Sequence, residues 1–551
     1  MSKHRMVSIL ASSALTAAAV AMAGAGLTAS AATAGQPIAI QTGPNGNFQD
    51  NFNPYSSTAD PGTDGLIYET LFYFDNISGK TFDVLGNSFK FSHGNKVVTV
   101  NLHPNVKWSD GTPFTAQDVV FSFDQLKKYP AADANGVWTQ LQSVKAVGKN
   151  QVVFTFKAPN GPFAEQYVLG GTYIVPQHIW KSLGDPTKVS VTKPVGTGPY
   201  ELSSFSPQLY KLTANPSYYR GVSKVPEVDF PAYSSNASAD LALAKGDLQW
   251  TGIDIPNIQQ TFVKADPAHN HYWFPPSNVV QLYTNLKDPL LSQKAVREAM
   301  SLAIDRNKLS AEGETGYELP AVPTSLVMPN NKAWLDPKLP KQYNSFSYNS
   351  TAAEKILTQA GFKKDSKGIM AKGGKELSFT LDVVAGWSDW DEDALLIKQE
   401  LSQIGIGVNV NQMQFGAYYN AIAPAKPAKP NYQLAISWTN TGPTPYTLYY
   451  NMLDPNGNFN VPQFNDPSVT GWLNDFARTA NPARQRMDIF KIQSYFAQNL
   501  PAIPLLFGAT WYEYNDANYT GWPTQKNPWI NPAPYTYQAA AIVLEHLKPV
   551  K

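Results

Sequence analysis

Residues 436–451 read ISWTNTGPTPYTLYYN and hold one tryptophan, three tyrosines, two prolines and several hydroxyls and amides, without a single charge. A second stretch, VVAGWSDW (383–390), leaves a strand-like run and presents Trp387, Asp389 and Trp390. Groups of these types do no covalent chemistry. Aromatic faces beside short polar side chains suit a polar, uncharged solute whose CH faces pack on the rings while its hydroxyls meet amides and hydroxyls. Two readings compete for the charge-free loop: an ordinary buried turn, or the wall of a pocket. The candidate ligand-binding residues are Trp438, Asn440, Thr441, Tyr446, Trp387, Asp389 and Trp390. Tyr55, in the FNPY run at 52–55, joins them.

Much other chemistry is excluded. The chain has no cysteine, so disulfides, thiolate metal sites, Cys nucleophiles, Fe–S clusters and a lipid-modified cysteine are all absent. It lacks GxxxxGK[ST], HExxH and GxSxG. GTGPY (196–200) has no GxGxxG spacing and runs into proline, so it reads as a turn. His269 and His271 flank one residue in a polar loop, and DPNGNFN (454–460) lacks the glycine at position six and the glutamate at position twelve of a calcium loop. No metal, cofactor or catalytic residue is assigned. Carboxylates are plentiful, but no spacing singles out a pair. A secreted glycoside hydrolase remains the alternative from another class, because its two carboxylates come from distant positions.

The elements that must position these residues are mixed. VVTVNL and QVVFTF are short β-branched runs and read as strands. Between them Asp110-Gly111 makes a turn, Thr115 caps a helix and Asp118 completes a capping box, with Val119, Val120, Phe123 and Leu126 facing inward. LSQKAVREAMSLAIDRNKLS (291–310) is an amphipathic helix capped by Ser292. Val296, Ala299, Met300, Ala303 and Ile304 form its buried stripe, and Lys294, Arg297, Glu298 and Arg306 are expected in water. Helix 351–362 stops at Gly361, LSFTLDVV is a strand, and 391–415 runs helix then strand. A late helix, RQRMDIFKIQSYFAQNL, precedes the buried strand AIPLLFG. Helices and strands alternate through the second half, as in an α/β layer architecture.

At 551 residues the chain exceeds one compact core, so two or three lobes are expected. Net charge is +1, which argues against nucleic acid as a partner. Charged residues make up 15%, against roughly 25% in an average soluble protein, so the surface changes little as carboxylates protonate and suits an acidic exterior. MSKHRM carries Lys3 and Arg5, an uncharged Ala-rich stretch follows, and small-x-small sites end at Ala31 and Ala34. This is the pattern of a secretory signal peptide cleaved near Ala34, with retention as an N-terminal anchor as the alternative.

VNLHPNVKWSDGTPFTAQDVVFSF closely resembles the marker segment of bacterial extracytoplasmic solute-binding proteins of family 5, the dipeptide-, oligopeptide-, nickel- and oligosaccharide-binding proteins of ABC importers. Further matches follow in the family's order: FNPY and YETL (68–71), which resemble its N-terminal strand and first helix, then GTGPY, ALAKGDLQW, NLKDPLLSQKAVREAMSLAIDRNKL, YNSTAAEKILTQAGF and QSYFAQNLPAIPLLF. The resemblance implies an α/β fold of the periplasmic-binding-protein type II-like kind, with two lobes in three domains and a hinge of two crossing strands. Here those strands would be VVQLYTNL (279–286) and AIPLLFGATWY (502–512). The expected organisation is 1–34 signal peptide, 35–68 first segment of lobe I, 69–195 an inserted subdomain, 196–278 second segment of lobe I, 279–500 lobe II and 501–551 the last segment of lobe I. It implies a monomer that catalyses nothing, closes on its solute and docks on the transmembrane subunits of an ABC permease at the periplasmic or outer face of the membrane.

The resemblance also bears on the ligand. In peptide-binding relatives a Trp at the end of this strand is followed three residues later by an Asp that pairs with the peptide's amino group. Trp438 and Pro445 match that pattern, but the Asp position is Thr441. A buried ammonium without a partner costs several kcal/mol. GWSDW with GPTPY is similar to the oligosaccharide-binding branch. The expected solute is therefore a neutral oligosaccharide of cello- or manno-type. The alternative is an oligopeptide whose amine is held by another acid.

Overall fold

The computed structural model of the protein describes residues 35–43, 46–424, 428–439, 441–479 and 481–550. The expected leader, 1–34, and the candidate Asn440 lie outside them. Two large sheets organise the chain. The first has seven strands in the order Asn270–Tyr272, Glu513–Asn515, Trp250–Thr251, Ile38–Gln41, Glu227–Pro231, Leu209–Ala214 and Tyr200–Ser206. Ile38–Gln41 runs parallel to both of its neighbours. The second has five strands in the order Gly407–Met413, Ser378–Val384, Leu434–Ser437, Pro276–Thr284 and Ile503–Ala509. Its first three are parallel, and Pro276–Thr284 is antiparallel to both strands beside it. Leu434–Ser437 and Ile503–Ala509 are buried along their whole length, as expected of strands covered on both faces.

A four-stranded antiparallel sheet, Gly86–Ser92, Val97–Leu102, Gln151–Phe156 and Leu141–Ala146, forms a further layer against helix Ala116–Lys128. Its strand QVVFTF buries Val152, Phe154 and Phe156, every second residue, the period of a strand with one covered face. Thr115 and Asp118 form the expected capping box.

The chain passes between the two large sheets twice, after Tyr272 and after Ala509. The passing segments are tied together: the Trp273 amide donates to the Tyr512 carbonyl at 3.0 Å, and the Thr510 amide to the Pro275 carbonyl at 2.8 Å. These two paired segments adjoin the two strands expected to form the hinge. No helix among the described residues is long and apolar enough to cross a membrane.

Several local expectations are corrected. The helix expected over 291–310 spans Lys294–Ala303, its cap position is Gln293 rather than Ser292, and no side chain closes it. Val296, Ala299, Met300, Ala303 and Ile304 are buried as the periodicity requires, but so are Arg297 and Arg306. The reason is carbonyl capping. Arg297 donates to the carbonyls of Leu291, Ser292, Asn499 and Leu500, the last two at the C-terminus of helix Pro482–Asn499. Arg306 donates to the carbonyls of Ser301, Ile304 and Pro504 and lies 3.5 Å from the Phe346 ring centre. A guanidinium offers five donors, enough to serve carbonyls that helix ends leave without partners. FNPY and YETL form turns and extended chain rather than a strand and a helix; the N-terminal strand is Ile38–Gln41. The loop expected over 436–451 ends early, because Pro445 opens a helix, Pro445–Leu453, that carries Tyr446, Tyr449 and Tyr450. Proline at the first helical position loses no hydrogen bond and has its φ already set.

Candidate functional site

A cavity of about 720 Å³ is lined by the segments that follow strands Ile38–Gln41 and Trp250–Thr251 of the first sheet and by residues of strands Pro276–Thr284 and Ile503–Ala509 of the second. That is within the size range of small-molecule sites, roughly 300–1,000 Å³. Trp438 follows the buried strand Leu434–Ser437 and is fixed from behind: the Tyr283 hydroxyl donates to its carbonyl at 3.0 Å, and the Thr439 hydroxyl accepts the Val279 amide at 3.0 Å. Both partners belong to the strand beside the crossing segments. The Trp438 ring lies nearly parallel to Phe459 (5.6 Å, 19°), Tyr419 (6.3 Å, 18°) and Phe415 (6.4 Å, 17°). Trp387 stacks on Phe415 at 5.8 Å and 23°, and Trp390 meets Trp387 edge-on at 5.0 Å.

Gly386 turns the chain into this platform with φ +85°, a conformation glycine adopts without strain. Helix Ser388–Gln403 then begins, with Asp389 in its first turn. The cavity is lined by Trp387, Asp389, Trp390, Trp438 and Thr441, five of the sequence candidates. Thr441 also links the walls. Its hydroxyl donates to the Ser277 carbonyl at 2.8 Å and accepts from the Asn76 amide at 3.1 Å, while Asn76 accepts from Asn531 at 3.1 Å.

Two described candidates lie elsewhere. Tyr55 packs edge-on against Trp180 at 5.3 Å, and Tyr446 is buried between Tyr450 and Phe476 at 5.5 and 5.0 Å; neither lines the cavity. Tyr446 sits in the first turn of the helix that Pro445 opens, not in the loop before it. His269 and His271 both pair with Asp516, at 2.9 and 3.2 Å, and no group of three or more ligating side chains among the described residues could hold a metal.

The cavity is not free of ionisable groups. Besides Asp389 it is lined by Asp254 and Glu318, with Glu314 and Asp393 interacting with them from behind. Burial, and then the neighbouring acids, push Asp254 up to about 8 and hold Glu314, Glu318 and Asp393 well above the usual carboxylate range. Asp389 rises least, to about 6: burial raises it, and backbone N–H groups at the helix start hold it down. The Ala509 amide donates to Glu318, which places that acid at the second crossing. Among the described residues none of these five joins an ion pair, and no Lys, Arg or His lines the cavity. Asp254 and Glu318 escaped the sequence reading because the corner is assembled from segments far apart in the chain.

Residues 84–460 match the bacterial extracellular solute-binding proteins, family 5 Middle. The chain belongs to that family. Among family members in bacteria, an oligopeptide-binding protein of Bacillus subtilis, AppA, is 29% identical over 421 residues, covering 72% of this chain and 73% of its own. Protein XP55 of Streptomyces lividans is 28% identical over 400 residues, covering 71% and 70%. The structure of a periplasmic oligopeptide-binding protein of an oligopeptide ABC transporter from Thermotoga maritima, with mannohexaose bound, superposes with a TM-score of 0.83 at 25% identity, covering 94% of this chain and 99% of that one. AppA in complex with a nonapeptide superposes with a TM-score of 0.80 at 22% identity, again covering 94% and 99%. The family's mixed α/β, two-lobed type II-like fold is thus the fold of this chain.

Proposed function

We propose that this family member is the solute-binding component of an ABC importer and captures an oligosaccharide of cello- or manno-type in the 720 Å³ cavity, delivering it to the permease without chemical turnover. The observation that carries the reading is the platform of Trp387, Trp390 and Trp438 in a cavity without a cationic lining residue among those described. Pyranose CH faces pack on such rings. A peptide's terminal carboxylate would find no cationic side chain in the described wall to pair with. Thr441 occupies the position of the amine-pairing aspartate and spends its hydroxyl on Ser277 and Asn76. The mannohexaose-bound relative from Thermotoga maritima supports the same class of ligand. Residues 1–34 would serve for export, with 35–278 and 501–551 forming one lobe and 279–500 the other. A solute touching both walls shifts the population toward the closed form.

The test is a thermal-shift screen of the exported form against di- to pentasaccharides and di- to pentapeptides. A ligand at 100 times its Kd stabilises the fold by about 2.7 kcal/mol. Shifts with saccharides are expected; shifts with peptides alone would overturn the reading. Hydrolysis of a chromogenic glycoside would favour an enzyme instead.

A further inference from the structure

The acid corner has no role in stacking a sugar ring. Asp254, Glu318 and Asp389 come from three separate segments and line one side of the cavity. Their exposures are 3%, 3% and 5%, and each retains one oxygen with no hydrogen-bond partner: Asp254 Oδ1, Glu318 Oε2 and Asp389 Oδ1. Glu314 and Asp393, both fully buried, stand behind them and share a hydrogen bond with each other, with no cation beside them among the described residues. The other titratable groups that interact with the five are Asp240, Asp391, Glu392, Glu513, Tyr317 and Tyr535, none of them cationic. Buried acids in native structures are usually paired. Five together without a cation, bordering a ligand-sized space, keep protons in the free protein, and the positive charge that would let them ionise has to come from outside the chain.

We propose that Asp254, Glu318 and Asp389 form an ammonium subsite, so that the solute bears a primary amine at this corner, as an oligomer of 2-amino-2-deoxy sugar does. An ammonium brings three N–H donors and one positive charge. Charge-assisted bonds of this kind are roughly twice as strong as neutral ones. A neutral sugar hydroxyl supplies a donor but no charge that would favour ionised carboxylates. The inference deepens the oligosaccharide reading and rests on it for the placement of the solute in this cavity. Arrival of the cation favours ionised carboxylates, so binding at neutral pH releases protons from the corner to the buffer.

The test is isothermal titration calorimetry of the exported form at pH 7 with glucosamine trimer, N-acetylglucosamine trimer and cellotriose, repeated in two buffers of different ionisation enthalpy. A peptide pair, with free and with acetylated N-terminus, separates the other source of an amine. Glucosamine trimer is expected to bind at least about tenfold tighter than its acetylated form, with a buffer-dependent enthalpy that the acetylated form lacks. Glu318→Gln and Asp389→Asn should each narrow that ratio toward one. Equal affinity for amine and acetylated forms in both pairs overturns the subsite, and tight cellotriose binding in that case leaves the oligosaccharide reading standing. Binding of the free-amine peptide alone keeps the subsite and overturns the oligosaccharide reading.

Discussion

Replacing Asp254 with asparagine tests the electrostatics of the acid corner without any ligand. Asp254 is 3% exposed, and burial, followed by the charges of Asp389 and Asp240, raises it from 3.8 to about 8. The folded protein therefore holds this proton after the unfolded chain has released it. The group's contribution to stability is complete below the unfolded value near 4 and is lost as pH climbs toward 8. Each pH unit in that window is worth about 1.4 kcal/mol, so from about pH 4 to pH 7 the native protein loses roughly 4 kcal/mol through this one carboxyl. Asparagine has the shape of the protonated acid and does not titrate. Asp254→Asn should match the wild type within about 1 kcal/mol at pH 4 and exceed it by roughly 3–4 kcal/mol at pH 7. Urea unfolding at several pH values measures this directly, provided the m-value is unchanged. A stability difference that stays constant across the window would refute the claim that the corner is protonated in the folded state.

Three other outcomes follow from the same geometry. Trp438→Ala removes a ring set among Phe415, Tyr419 and Phe459, so it should weaken saccharide binding at least about tenfold and lower stability by about 2 kcal/mol; a folded variant with unchanged affinity would remove Trp438 from the binding platform. Arg297→Met leaves four carbonyl acceptors unserved, two of them buried, and should cost about 3 kcal/mol or more in chemical unfolding, and a loss under about 1 kcal/mol would show that helix-end capping is not its role. Thr441→Val keeps the shape but loses the bonds to Ser277 and Asn76, so solute affinity measured by calorimetry should fall by about 1–2 kcal/mol; no change would mean the two walls are held together elsewhere.

Local signals carried much of the architecture. Alternation in QVVFTF, the Thr115–Asp118 box and the apolar runs at 434–437 and 503–509 were legible because each depends on residues near one another in the chain. The ordered run of family motifs carried the fold, and Trp387, Asp389, Trp390, Trp438 and Thr441 stood out by type and spacing. What the sequence could not supply were properties created by packing. Arg297 and Arg306 had the positions of surface residues, and only the arrival of a helix end and a strand made their burial favourable. Tyr55 and Tyr446 had the right type but were taken up by local ring packing. The acid corner is the clearest case. Asp254, Glu318 and Asp389 are ordinary solvated carboxylates in the unfolded chain. They act on one another only when a loop after strand 250–251, the segment at 314–318 that follows helix Lys294–Ala303 and the start of helix 388–403 converge, because Coulomb interaction depends on distance in space and on the water excluded between charges.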